Sequence, residues 1–211
     1  MNTNIDYNNF TAEQVVELIQ ESLSGDNEKI KNATKVLKTY TKYKGSIRTL
    51  SFILINASEI GHRQMSTVLL KRNLVNLYEN LNEQEKAEFR NLLLNQYIKE
   101  QHLLIQRGIA TLISILLPVV QIKNWPELQQ LLDEALKAAP DSAATFVLIN
   151  SILYHFKAPK ELYTFLLSAL KTPNLVEEAI KCVNSVVESQ DIDPSLAIEF
   201  VKIWEQCNWS E

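Results

Sequence analysis

The stretch Ile30-Lys31-Asn32-Ala33-Thr34-Lys35-Val36-Leu37-Lys38-Thr39-Tyr40 sets Ile30, Ala33, Val36, Leu37 and Tyr40 at spacings of three and four, with every lysine falling between them. That period gathers the apolar residues on one stripe of a helix and the cations on the rest of its surface. A small residue, Ala33, lies within the stripe. The arrangement returns along the chain around Ser66, Ala110, Ala144 and Ala179, at gaps of 33, 44, 34 and 35 residues. Each recurrence falls where the second of two antiparallel helices is predicted. Helix pairs that cannot bury their apolar faces alone must stack on neighbours, and a small side chain lets the backbones approach. The stretch and its recurrences predict an all-α array of stacked hairpins, an architecture for holding other macromolecules.

Composition agrees. The 211 residues are 46% apolar and 22% charged, with a net charge of -4, enough apolar material for a substantial core. Only four glycines and six prolines occur, and the alternating pattern of strands is scarce. Residues 1–10 are polar and Asn-rich, without the basic start and apolar middle of a secretory signal. The most apolar run, 103–117, is interrupted by Gln106 and Arg107 and followed by Pro118. It falls short of the roughly 20 residues that a membrane span needs, so it reads as a buried core helix and no membrane insertion is expected. Cys182 and Cys207 form no CxxC and have no nearby histidine, which argues against a zinc site and suits reduced thiols.

Thr11 is an N-cap with Gln14 as its capping-box partner, and Val15, Val16, Leu18, Ile19 and Leu23 form a stripe that ends before Gly25. The helix containing Ala33 opens near Asp26 and ends before Gly45. A third is predicted over 46–58. Gly61 separates it from a fourth running through Met65, Val68, Leu69 and Leu77. Asn82, with Glu85 at the box position, caps a fifth. The sixth is the apolar run, stopped by Pro118. Asn124-Trp125-Pro126-Glu127 opens a seventh with proline in its first turn. Pro140-Asp141 opens an eighth, Ala158-Pro159 a ninth, Asn174 a tenth reaching Ser189, and Asp193-Pro194 an eleventh through Ile198, Val201 and Trp204. Eleven helices make five pairs and one left over. Terminal repeats normally carry a polar outer face, so the unpaired helix reads as a cut through a longer array. Residues 1–211 are then one continuous amino-terminal segment.

His62-Arg63-Gln64-Met65-Ser66-Thr67-Val68-Leu69-Leu70-Lys71-Arg72-Asn73-Leu74 resembles the part of importin-beta family receptors in which an arginine and a small residue precede a run of leucines and a basic pair. Downstream, a helix over 85–100 ending in Lys-Glu, an arginine-led helix over 107–117 and Asn124-Trp125-Pro126-Glu127-Leu128 follow the same family's order. The resemblance spans most of the chain and is similar to that of receptors importing ribosomal proteins and histones. Thr34 departs from it where an acidic residue often follows the small one, and Tyr78 where a tryptophan is common. The resemblance implies a right-handed α-solenoid of HEAT-type hairpins, about five pairs plus one helix. Second helices would line a concave surface that grips the GTPase Ran in its GTP form and, farther along, basic cargo. Nucleoporins would meet the rest of a longer chain, and the protein would work in cytoplasm and nucleus and at the nuclear pore. By position, the candidate Ran-binding residues are Lys31, Thr34, Lys35 and Lys38, then Arg63, Thr67 and Lys71, then Gln106, Arg107 and Thr111.

Several features have plainer readings. Residues 29–48 hold seven basic residues and no acidic one, which reads first as a solvated helix face; no row of stacking aromatics accompanies it, so direct nucleic-acid binding is not expected. From Gln121 onward seven lysines stand against thirteen carboxylates, a balance that would attract basic cargo and that ordinary solubility also explains. Arg63 and Arg107 read as a polar ladder between repeats, their guanidinium groups bridging carboxylates or turn carbonyls. Trp125 reads as a packed staple. His62, His102 and His155 fall on separate repeats, and neither a phosphate-cradling glycine loop nor a Gly-x-Ser-x-Gly elbow is present. An enzyme is therefore not expected, and no cofactor. The rival to a Ran-binding receptor is a generic HEAT scaffold that positions a partner without GTPase input.

Overall fold

The computed structural model describes residues 7, 10–138, 140, 142–189, 198 and 200–202, and among these every regular element is a helix. Residues Met1–Leu116 form one compact unit and Leu117–Glu211 another.

The first unit contains α1 (Ala12–Ser22), α2 (Asn27–Tyr40), α3 (Ser46–Asn56), α4 (Ile60–Lys71), α5 (Leu74–Glu79), α6 (Glu83–Lys99) and most of α7 (Leu103–Val120). Helix α1 packs on α2 and α3 on α4, while α1 also meets α3 and α4, so the two hairpins stack. Both capping boxes read from the sequence form: Thr11 with Gln14, and Asn82 with Glu85. In the second unit, α8 (Pro126–Lys137) packs on α10 (Lys160–Ala169), and α9 (Ala143–Ile152) on α11 (Val176–Ser189). Corresponding helices of successive pairs thus lie side by side, as in a helical repeat. Pro126 occupies the first turn of α8 and Trp125 before it is fully buried, so the staple reading holds.

Of the five small residues, Ala33, Ser66, Ala110 and Ala179 are fully buried. Ala144 is only half-buried because it sits in the first turn of α9, where its N–H is taken by the Ser142 cap. The apolar helix α7 buries Ile105, Ile109, Leu112, Ile113 and Leu116 completely within the protein, which is the behaviour of a core helix.

Four boundaries differ from the sequence reading. Gly61 lies inside α4, and the chain breaks earlier, at Ala57, whose extended backbone closes α3. The fourth helix does not run through to Leu77. It ends at Lys71 and restarts as α5, because Asn73 leaves helical geometry and its side-chain amide donates to the Thr41 hydroxyl at 3.0 Å. Pro118 does not stop α7. A proline this close to the end removes one helical bond, and the Gln121 N–H still reaches the Leu117 carbonyl at 2.8 Å. Gln121 itself ends the helix, with φ 61°. Helix α9 opens at Ala143, capped by Ser142, after the predicted Pro140 start. The eleventh predicted helix falls largely outside the described residues, although Ile198 and 200–202 are helical.

Polar contacts between hairpins repeat the period of the chain. Asn73 and Thr41 are 32 residues apart; Arg48 and Glu85, and Arg63 and Glu100, are each 37 apart. In the second unit the Cys182 thiol donates to the Phe146 carbonyl across 36 residues, and the Ser185 hydroxyl to Asn150 across 35. Burial pushes the Cys182 thiol up to about 12, so it acts as a small apolar group. Arg63 makes the more enclosed of the two ion pairs among these ties. Its Nε donates to the Leu54 carbonyl at 2.9 Å, and its guanidinium pairs with the Glu100 carboxylate. Glu100 also accepts from the Gln96 side chain and the His102 N–H, and its backbone carbonyl accepts from Gln106.

Helices α4 and α7 approach closely at Gly108. A Cβ placed on Gly108 would lie 2.6 Å from the Thr67 hydroxyl oxygen and 2.9 Å from its Cβ and Cγ2.

Two stability predictions follow from this packing. Gly108→Ala overfills the seam and is expected to destabilise the protein by about 1–3 kcal/mol, read from the urea midpoint, with Thr67→Ala recovering part of the loss. Arg63→Ala leaves a buried carboxylate without its counter-charge and is expected to cost about 3 kcal/mol, whereas Arg48→Ala on the exposed pair costs under about 1 kcal/mol.

Candidate protein-binding surface

Three second helices, α2, α4 and α7, carry the residues read from the sequence as a binding surface. On α2 the apolar stripe turns Ala33, Leu37 and Tyr40 inward, and helical geometry then forces Lys31, Thr34, Lys35 and Lys38 outward. All four are exposed, and none of the three lysines makes an ion pair among the described residues. This face fits the sequence reading of a solvated cationic stripe.

On α4 the candidates divide. Lys71 is exposed at the last turn, where a cation also favours the helix dipole. Thr67 is only 5% exposed, donates to the Gln64 carbonyl and lies against Gly108, so its side chain belongs to the seam. Arg63 is committed to Leu54 and Glu100, which is the ladder role considered for it from the sequence. A charge reversal there would bring two carboxylates together in a buried place, so Arg63 cannot report on a partner separately from folding.

On α7, Gln106 is 8% exposed and its amide holds the Glu100 carbonyl at 2.7 Å. Arg107 is exposed, and its carbonyl accepts the hydroxyl of the half-buried Thr111 at 2.8 Å. The residues that reach solvent on these helices are therefore Lys31, Thr34, Lys35, Lys38, Lys71 and Arg107, with Thr111 partly covered. Thr67 and Gln106 drop out because helical period alone does not tell a residue facing solvent from one covered by another hairpin, as Thr67 is, or folded back on the preceding turn, as Gln106 is.

Sequence reasoning missed two apolar additions to this surface. Val68 on α4 and Leu104 on α7 are exposed, each three residues before an exposed cation, Lys71 and Arg107. That spacing places apolar and cationic groups on the same helix face, and it is a signal visible in the sequence.

A second surface lies between α3 and α6. An apolar groove of about 370 Å³ is lined by Ile47, Phe52, Ile55, Leu81, Phe89 and Leu92, and the Phe52 side chain remains 55% exposed. Arg48 and Lys44 meet Glu85 at this end of α6, with Lys44 at 3.4 Å. The Asn82 backbone N–H leads the causes that hold Glu85 below the usual carboxylate range. Nearby, Tyr78 is buried where the resembling family often has tryptophan. Its hydroxyl accepts from Arg90 at 2.6 Å, and its ring tilts against Phe89.

Comparison with known proteins adds to this geometry. Residues 33–99 match the Importin-beta N-terminal domain family, a span running from the middle of α2 to the end of α6. Importin-4 of Mus musculus is 23% identical over 139 residues, covering 65% of this chain and 13% of the mouse protein. Importin-4 of Homo sapiens is 25% identical over 114 residues, covering 54% of this chain and 10% of the human one. The aligned stretches are thus a small part of either relative. The helical-hairpin fold, the match at residues 33–99 and these two relatives agree in their similarity to the importin-beta family.

Proposed function

We propose that this protein works in nuclear transport by binding, as a receptor that takes Ran in its GTP form and contributes to holding basic cargo for import. The observation that carries the reading is the match of residues 33–99 to the Importin-beta N-terminal domain, because that span contains the exposed cations Lys35 and Lys38 of α2 and Lys71 of α4. On this reading cargo and Ran-GTP are held alternately, and the nucleotide on Ran decides which. Linkage makes such coupling reciprocal: whatever Ran-GTP does to cargo affinity, cargo does to Ran-GTP affinity. The surplus of carboxylates after Gln121 offers basic cargo a complementary field. A protein of this kind would pass between cytoplasm and nucleus through the pore, and its work would be non-covalent.

Pull-down of Ran loaded with GTP against Ran loaded with GDP tests the proposal. Strong preference for the GTP form is expected, and equal or absent retention would favour the scaffold without GTPase input. Lys35→Glu with Lys71→Glu is expected to weaken capture roughly tenfold while lowering stability by no more than about 1 kcal/mol, the part Lys71 contributes at the end of α4, since both side chains are exposed. Unaltered capture by that variant would remove these lysines from the contact surface.

A further inference from the structure

The turn 41–45, which joins α2 to α3, faces α5 across a recess of about 420 Å³ walled by Lys42, Lys44, Asn73, Asn76, Leu77 and Asn80. Five of these six residues carry N–H donors on their side chains, and none is acidic. The walls are fixed to each other by the Asn73 amide, which donates to Thr41 across the recess floor's two elements at 3.0 Å. Asn80 is fixed as well, donating to the Asn76 carbonyl at 2.7 Å. The remaining donors are uncommitted: among the described residues Lys42 makes no ion pair and the Asn76 side-chain amide no hydrogen bond.

Lys44 is held only loosely. Its ammonium is 3.4 Å from Glu85, its side chain is 55% exposed, and Glu85 is also gripped by Arg48 and by the Asn82 backbone N–H. Lys44 can therefore turn into the recess without leaving that carboxylate unpaired. The acidic residue of α5, Glu79, is not among the walls. Residues 29–48 add no carboxylate of their own.

We infer that this recess binds a phosphate monoester. Two ammonium groups match the charge of about -1.5 to -2 that such a group carries near neutral pH, and its three terminal oxygens can each accept from a lysine or an asparagine amide. A carboxylate supplies one charge and two oxygens, and a nucleic-acid phosphodiester one charge, so each would leave part of the donor set unmatched. The phosphate can belong to a small polyphosphorylated molecule or to a phosphorylated side chain of a peptide. The inference is independent of Ran binding, since none of the residues proposed to contact Ran walls the recess.

Isothermal titration calorimetry on the 211-residue protein tests it with three probes: inositol hexakisphosphate, a phosphoserine peptide beside its unphosphorylated parent, and a glutamate-rich peptide. Saturable binding of one or both phosphate-bearing probes is expected, and which one binds tells the source of the phosphate. Lys42→Gln should weaken that binding about tenfold and Asn76→Ala measurably, with thermal unfolding unchanged, while Lys31→Gln and Lys35→Gln on α2 leave it intact. Absence of heat with both phosphate probes overturns the inference. So does equal weakening by the α2 variants, which would mean a diffuse cationic field, or equally tight binding of the glutamate-rich peptide.

Discussion

The first unit depends on how the hairpin of α3 and α4 is held against α6 and α7. A stacked hairpin has little to hold it except its two neighbours, so a fault in one seam is not compensated elsewhere. Here the seam combines a close backbone approach at Gly108 and Thr67 with the enclosed pair of Arg63 and Glu100. The two devices complement each other. Close packing supplies dispersion and excludes water, and the ion pair sets the register, since a slip of one turn would separate an enclosed charge from its counter-charge.

This arrangement explains why the binding surface is smaller than a helical wheel implies. Residues at equivalent places on α2, α4 and α7 face different surroundings: Thr67 of α4 lies against Gly108 and Gln106 of α7 folds back on the Glu100 carbonyl, while the candidates of α2 meet water. Thr67 and Gln106 serve the seam, and Lys31, Lys35, Lys38 and Lys71 remain in solvent. Val68 and Leu104 give the cationic surface an apolar part, which a protein partner needs if it is to gain more than screened charge attraction.

Much of the fold was legible because its signals are local. Thr11 with Gln14 and Asn82 with Glu85 announce helix starts through bonds made within three residues, and the small residues at Ala33, Ser66, Ala110 and Ala179 mark stacked interfaces. The errors came where a distant partner decided the outcome. Asn73 breaks a helix because Thr41 is there to receive it, and Thr67 is covered because Gly108 arrives from another hairpin. Pro118 misled for a different reason: near a helix end it removes a single bond, and the left-handed turn at Gln121 does the stopping. The recess beside α5 was hidden for the same cause as the break at Asn73, since α5 exists as a separate element only because of that break.

Helix α6 is tied at its two ends by ion pairs of unlike exposure: Glu85 near its start with the exposed Arg48 and Lys44, and the enclosed Glu100 just past its end with Arg63. Glu100 lies 15 residues beyond Glu85, which separates those ties by roughly 22 Å, well beyond the screening distance of about 8 Å in physiological salt. Rising ionic strength therefore weakens the outer tie far more than the enclosed one, while the buried Phe89, Leu93 and Tyr97 keep the helix seated between them, so salt is felt at one end of the seam and hardly at the other.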